Sequence, residues 1–116
     1  MTLQTPVLNA AVNGATSLLL FASLHSANPG STGASELTGG SPAYARVATA
    51  WPGAAGTVDT LPSIDFNVPA GATAAYVGFW SALTGGTFRG GQALSASESF
   101  TAQGVYTLDS VTLTGS

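Results

Sequence analysis

The run Ile64-Asp65-Phe66-Asn67-Val68-Pro69-Ala70-Gly71, followed by Thr73-Ala74-Ala75-Tyr76-Val77-Gly78-Phe79-Trp80-Ser81-Ala82, decides the fold class. Ile64, Phe66 and Val68 alternate with Asp65 and Asn67, the period of a strand with one face on a core. Pro69-Ala70-Gly71 closes that strand, with proline suiting the second position of a turn and glycine the fourth. Thr73 to Ala82 reads as a second, central strand, with Tyr76, Gly78 and Trp80 on one face and Val77 and Phe79 on the other. Gly78 amid such bulk predicts a bend or the close approach of an aromatic ring from a neighbouring strand. The short turn between the two strands predicts a hairpin.

Toward the N-terminus, Thr5-Pro6-Val7-Leu8-Asn9-Ala10-Ala11-Val12-Asn13-Gly14 has the layout of a short helix. Thr5 is placed to cap it, Pro6 to occupy its first position and Gly14 to take the left-handed residue after its end. Val7, Leu8, Ala11 and Val12 share one face, but so short a helix needs a sheet or a neighbouring subunit to hold it. Ser17 to His25 is apolar on both faces around Leu18 to Phe21, as a central or interface-buried strand would be. Tyr44 to Trp51 alternates loosely and stops at Pro52-Gly53, Ala54-Ala55-Gly56 is turn-like, and Val58 to Leu61 makes a short strand before Pro62. Beyond Trp80, Thr84 to Leu94 is a glycine-punctuated edge region. Val105 to Leu108 and Val111 to Leu113 form the last extended segment, and their change of parity predicts a bulge or kink at Asp109-Ser110. These short strands and frequent turns predict a mainly β fold, an antiparallel β-sandwich or barrel-like sheet with one short N-terminal helix. No repeat period and no linker divides the chain, which reads as a single β domain over 1–116.

Between the first two strands runs Leu24 to Arg46, the longest interval without apolar periodicity. It holds the only histidine, one of the two arginines, one of the two glutamates and two of the six prolines. Loops of this length in small domains are usually functional or disordered, and the turn chemistry argues for order over 26–43. Asn28-Pro29-Gly30 fixes φ at the proline and offers a positive φ at the glycine, while Gly39-Gly40 permits a second reversal.

Composition narrows the function. Only 6% of the 116 residues are charged, against about 25% in a typical soluble domain, and there is no lysine. A free-standing monomer keeps itself soluble with charge, so a surface this poor in charge points either to a Ser/Thr-rich extracellular-type β domain or, the reading favoured, to burial against other subunits, where charge would cost desolvation. A net charge of −3 with two cationic side chains leaves no basic patch for nucleic acid. The longest apolar run, Leu18 to Ala22, is far short of a membrane span. The N-terminus carries no basic n-region followed by a long apolar core, so no secretory signal is expected. Without cysteine there is neither a disulfide framework nor a thiolate metal site.

Catalytic templates find little support. His25 is the sole base for a serine nucleophile and stands among Ser23 and Ser26, with no nucleophile elbow around any serine. The reading favoured for it is a histidine tying loop backbone to strand. Asp59 and Asp65 flank a proline-containing turn and suit turn stabilisation better than a two-carboxylate hydrolytic cleft. Zinc ligands are lacking; Asn28, Glu36 and Asp59 contain oxygen donors for calcium but in no recognisable spacing. The glycines at 85, 86, 90 and 91 do not sit between a strand and a helix, as a phosphate loop requires. No cofactor is therefore expected. Trp51, Tyr76, Phe79, Trp80 and Tyr106 could offer sugar-stacking rings, but aromatics at alternating strand positions more often serve core or interface. Arg46 and Arg89, cations in an acid-poor chain, are each expected to pair with a specific carboxylate, Glu36 or Glu98, within the protomer or across an interface.

The passage Ser23-Leu24-His25-Ser26-Ala27-Asn28-Pro29-Gly30-Ser31-Thr32-Gly33-Ala34-Ser35-Glu36-Leu37-Thr38-Gly39-Gly40, followed by Tyr44-Ala45-Arg46, resembles a small virion protein family of tailed bacteriophages infecting actinobacteria. The likeness continues through Phe66 to Gly71, Val77 to Ala82, Gly85-Gly86, Ala93 to Ser95 and Phe100 to Leu108. Ser26 and Asn28 stand where the family is expected to have threonine and aspartate, and Ser41-Pro42-Ala43 lengthens the path to Tyr44. Such proteins are commonly labelled tail fibre or minor virion proteins, and the resemblance brings no catalytic residues with it.

The resemblance and the charge-poor composition together imply a non-enzymatic virion structural protein, made in the host cytoplasm and carried on the capsid exterior or tail. A capsid decoration (minor capsid) protein that stabilises the shell is the first expectation. A tail-accessory or tail-fibre protein and a host carbohydrate-binding module are the alternatives. Expected partners are the major capsid protein or tail proteins and further copies of the chain, a trimer included, with neither nucleic acid nor membrane. His25, Asn28, Pro29, Glu36, Arg46, Trp80 and Arg89 are the interface candidates, with the loop as a shaped docking element.

Overall fold

The computed structural model describes residues 4–55, 58–109 and 111–114, the side chain of Thr114 excepted. One helix, α1 (Thr5–Thr16), precedes eight strands: β1 (Phe21–His25), β2 (Val47–Ala48), β3 (Val58–Leu61), β4 (Ile64–Val68), β5 (Thr73–Trp80), β6 (Phe88–Ser99), β7 (Gly104–Leu108) and β8 (Val111–Thr114). A four-stranded antiparallel sheet runs in the order β2-β1-β5-β6, and two antiparallel pairs, β3-β8 and β4-β7, lie apart from it. The fold is mainly β with antiparallel sheets and no closed barrel.

The predicted hairpin of β4 with β5 does not form. β4 pairs with β7, and β5 pairs with β1 on one side and β6 on the other. The turn at Pro69 to Gly71 instead lifts the chain from one layer to the next, held by Gly71 N–H to Phe100 O at 2.6 Å and Phe100 N–H to Ala72 O at 2.8 Å. The two apolar stripes meet in one core rather than side by side. Phe66 and Val68 of β4 and Val77 and Phe79 of β5 are buried together with Ala22, Leu24, Leu61, Leu108 and Val111. Strands that both carry a wholly buried stripe gain more by facing each other than by pairing edge to edge.

The helix also departs from its sequence pattern. It starts at Thr5 after a Gln4 cap that makes no side-chain hydrogen bond, and it runs through Gly14 to Thr16. Gly14 stays helical. The end is closed by hydroxyls, Ser17 Oγ donating to Gly14 O at 2.6 Å and Thr16 Oγ1 to Asn13 O at 3.2 Å. Val12 is buried, but Val7 is 51% exposed, so the apolar face is only partly covered, by β3 and β8.

The other strands depart from their patterns to different degrees. β1 is central, as its two-sided apolarity predicts, though it begins only at Phe21. The stretch from Tyr44 to Trp51 supplies only two ladder residues, Val47 and Ala48. Beyond them one main-chain bond, Thr49 N–H to Leu20 O, is joined by side chains, Thr49 Oγ1 and Trp51 Nε1 both donating to Leu19 O. β6 is the glycine-punctuated edge, longer than its pattern suggests. β7 and β8 belong to different pairs; of the predicted bulge at Asp109-Ser110, Ser110 lies outside the described residues.

Candidate functional site

The face of the sheet away from the core carries the densest polar cluster of the molecule, and the long loop covers it. Alternation along β1 puts Ser23 and His25 on that face, and the register sets Ser23 against Gly78 and His25 against Tyr76, with Trp80 on the same side of β5. His25 Nδ1 lies 2.8 Å from Ala34 O, which can only accept, so Nδ1 carries the proton. Nε2 is then the acceptor for the Ser23 hydroxyl at 2.7 Å, and Ser23 Oγ accepts the Trp80 indole N–H at 2.9 Å. Ser23 and His25 are fully buried. Burial pushes the His25 pKa below its ordinary value, with a smaller push from Arg46, against the raising effect of the Ala34 carbonyl and Glu36. The imidazole is thus held neutral. A serine bonded to a histidine resembles a nucleophile and its base, but this serine is sealed from solvent and occupied by an indole. Its chemistry here is to fasten Ala34, and so the loop, to the strand.

Gly78 is where the sequence predicts a close approach, and the structure shows it. A Cβ there would lie 2.6 Å from His25 Nε2 and 2.8 Å from both Phe88 Cε1 and Ser23 Oγ. Gly33, at φ +78°, lets the loop backbone lie flat on the Trp80 ring in the same way.

A second cluster joins the first through Trp80. Arg46 clasps Glu36 with two bonds, Nε to Oε2 at 3.0 Å and Nη2 to Oε1 at 2.9 Å. Its Nη1 donates to Ala82 O and Gly85 O, and the guanidinium lies 3.6 Å from the Trp80 ring centroid. Such a planar fork over an indole is the site for which arginine, not lysine, is suited. Tyr44 donates to Glu36 Oε2 at 2.8 Å and accepts the Leu24 N–H at 3.0 Å. Its pKa is raised, first by burial and then by the Glu36 carboxylate, against the Leu24 bond that lowers it. A shallow cleft of about 390 Å³, lined in part by Glu36, Tyr44, Arg46 and Gly85, opens beside this pair. The carboxylate and guanidinium that face it are already bonded to each other.

The loop is therefore pinned at both ends. Leu37 N–H bonds Leu24 O, Ser26 N–H bonds Ser35 O, and Gln103 holds the far turn through Ser41 N–H and Pro42 O. Of the interface candidates, His25 and Pro29 are buried, Trp80 is 9% exposed and the Arg46 side chain 9%. Their contacts are internal to the protomer, because the loop and strands already saturate them. Glu36 is partly accessible, while Asn28 and Arg89 are exposed. Asn28 Oδ1 accepts the Gly30 N–H at 2.9 Å, the Asx turn that shapes the loop tip. Arg46 finds Glu36 as expected; Arg89 pairs with no carboxylate among the described residues. Ser23 and Tyr44 complete the two clusters without standing out in the sequence. The signal for Ser23 is its two-residue spacing from His25, which on a strand means a shared face; Tyr44 lies outside any strand and has no such signal.

Other candidates disperse. Asp59 is buried and accepts the Gly53 N–H, Asp65 accepts the Thr107 hydroxyl, and the two do not meet. No group of three or more metal-binding side chains occurs among the described residues. The five aromatics divide between the two sheet faces and the outer layer: Trp51 leans on Phe79 at 6.1 Å, while Trp80 lies under Arg46. They form no common stacking platform.

The fold and this saturated cluster define a small β-rich protein whose polar chemistry is spent on holding its own loop. A family model described as "Podophage GP4 fiber I protein gp80" matches residues 1–116, and the chain belongs to that family of phage structural proteins. Its setting is accordingly the virion. Neither a curated protein nor a solved structure matched the chain. No helix among the described residues is long and apolar enough to cross a membrane.

Proposed function

We propose that the chain is a non-enzymatic building block of the phage tail-fibre apparatus, working by burial of uncharged surface against tail proteins and further copies of itself. The observation that carries this is the match of the whole chain to a fibre family. The elongated shape, 50 × 24 × 20 Å, suits a subunit laid along a narrow appendage. A surface with 6% charged residues suits one enclosed by neighbours. The loop motif extends the proposal to phages of actinobacteria. Antibodies raised against the purified chain test the placement by immunogold microscopy of intact virions. Gold at the tail supports the proposal, and gold spread over the shell replaces it with a capsid decoration role. That second reading is favoured by the same charge-poor surface, because a lattice multiplies every interface.

A further inference from the structure

We propose that the outer edge of β6 is a self-association surface, on which a second copy of the chain adds its own β6 antiparallel about a two-fold axis. β6 is the edge of the four-stranded sheet, so one side of its backbone has no strand partner among the described residues. It is twelve residues long and mostly exposed. Proteins that keep such an edge solitary place charges, proline or bulges along it. Between the bulges at Arg89 and at 94–97, β6 has none of these: it reads Gly90-Gly91-Gln92-Ala93.

The two charges stand at opposite ends of the strand, and their placement selects the partner. No salt bridge to either exists among the described residues, where the one ion pair is Arg46 with Glu36. Arg89 lines a cleft with Val111, Thr112 and Leu113 of β8. Glu98 stands opposite Ala74, which is buried in the core between the layers, so it shares that face; consistently, it and Asp109 raise the pKa of Tyr106 in β7 beyond the effect of burial. Both charges therefore lie toward the layer formed by β7 and β8, the arginine at one end and the acidic group at the other. A two-fold axis normal to the sheet at Gln92, level with Val77 and about midway in register between Arg89 and Glu98, reverses the strand while keeping each side chain on its own face. It brings Arg89 of each copy beside Glu98 of the other, two matched pairs from two unmatched charges. A parallel neighbour would set like beside like, which disfavours association.

The strand is not uniform. Arg89 bulges between the pairs Phe79↔Gly90 and Trp80↔Phe88, and residues 94–97 bulge between Tyr76↔Ala93 and Ala74↔Glu98. Gly90 to Ala93, in regular register between these bulges, would begin the shared ladder, with main-chain bonds giving affinity and the end charges giving direction.

The test uses the full chain and sedimentation velocity over a range of concentrations. The wild type is expected to form a dimer. Arg89→Glu and Glu98→Arg should each weaken it by about tenfold or more, since every two-fold interface then holds like charges twice. Mixing the two variants should restore a heterodimer, because each then meets its complement at both ends. Circular dichroism and thermal melting confirm that the variants fold. A monomeric wild type, a three-chain particle, or a dimer indifferent to both single reversals would overturn the proposal. Because it concerns the isolated chain, it can fail while the tail placement stands, and the reverse.

Discussion

The loop face of the sheet and the β6 edge are built from the same few polar residues and end in opposite states. On the loop face the histidine and both charged side chains are satisfied within the protomer: His25 by Ala34 and Ser23, Glu36 by Arg46 and Tyr44, and Arg46 further by Ala82, Gly85 and the Trp80 ring. Along β6 the backbone edge has no strand partner, and neither terminal charge a salt bridge, among the described residues. A chain with 6% charged residues has few polar contacts to distribute. Where it concentrates them it makes a rigid surface, and where it withholds them it leaves a place to associate.

The largest effect should come from the residue that joins the two polar clusters. Trp80→Ala removes the indole donor to Ser23, the ring beneath Arg46 and the floor under Gly33. We expect a loss of about 3–5 kcal/mol in urea unfolding. Arg46→Ala should follow at about 3 kcal/mol, because it strands the Glu36 carboxylate in a half-buried site. Arg46→Lys should recover only part of this, since an ammonium cannot make the two-bond clasp or lie flat on the indole. Effects this large on stability would place these residues in the fold itself. Unchanged stability with lost assembly would return them to an interface.

The third prediction concerns pH. His25 has a lowered pKa in the folded state, so between that value and about 6.5 the unfolded chain binds the extra proton. Stability from this group is full above about pH 6.5 and falls as pH drops below it. Protonation also removes the acceptor that Ser23 uses. Melting temperature from pH 8 to pH 5 should decline for the wild type and stay flatter for His25→Gln, which lacks the titration. Two smaller effects complete the contrast. Gly14→Ala, with open space around a helical glycine, should stabilise the chain by about 0.5–1 kcal/mol. Arg89→Ala should change the stability of the dilute monomer by less than about 0.5 kcal/mol. A large loss there would reveal a hidden partner and break the contrast at its open end.

Much of this was legible in the residues. Period-2 alternation locates β4 and β5, the bulk around Gly78 announces the close approach of Phe88, and a lone arginine near a lone glutamate announces their pair. What the sequence leaves open is which strand a strand meets. Pro69-Ala70-Gly71 serves equally to pair β5 with β4 or to stack it across the core, and the choice depends on β7 and β1, far away in sequence. The helix end was misread for a local reason, since the hydroxyls of Thr16 and Ser17 close it without a left-handed glycine. The loop reads as a docking element because its unusual residues cluster there. His25 and Pro29 turn inward while Asn28 stays exposed, a division set by tertiary packing that no local pattern encodes.

A cryo-EM map of the intact virion, at a resolution that traces strands, is the decisive measurement. We expect this chain in the tail-fibre apparatus, with its loop face closed over Ser23, His25 and Trp80 and its β6 edge against another subunit. The chain on the capsid shell, or in the tail with β6 exposed and the loop opened onto a neighbour, would contradict it.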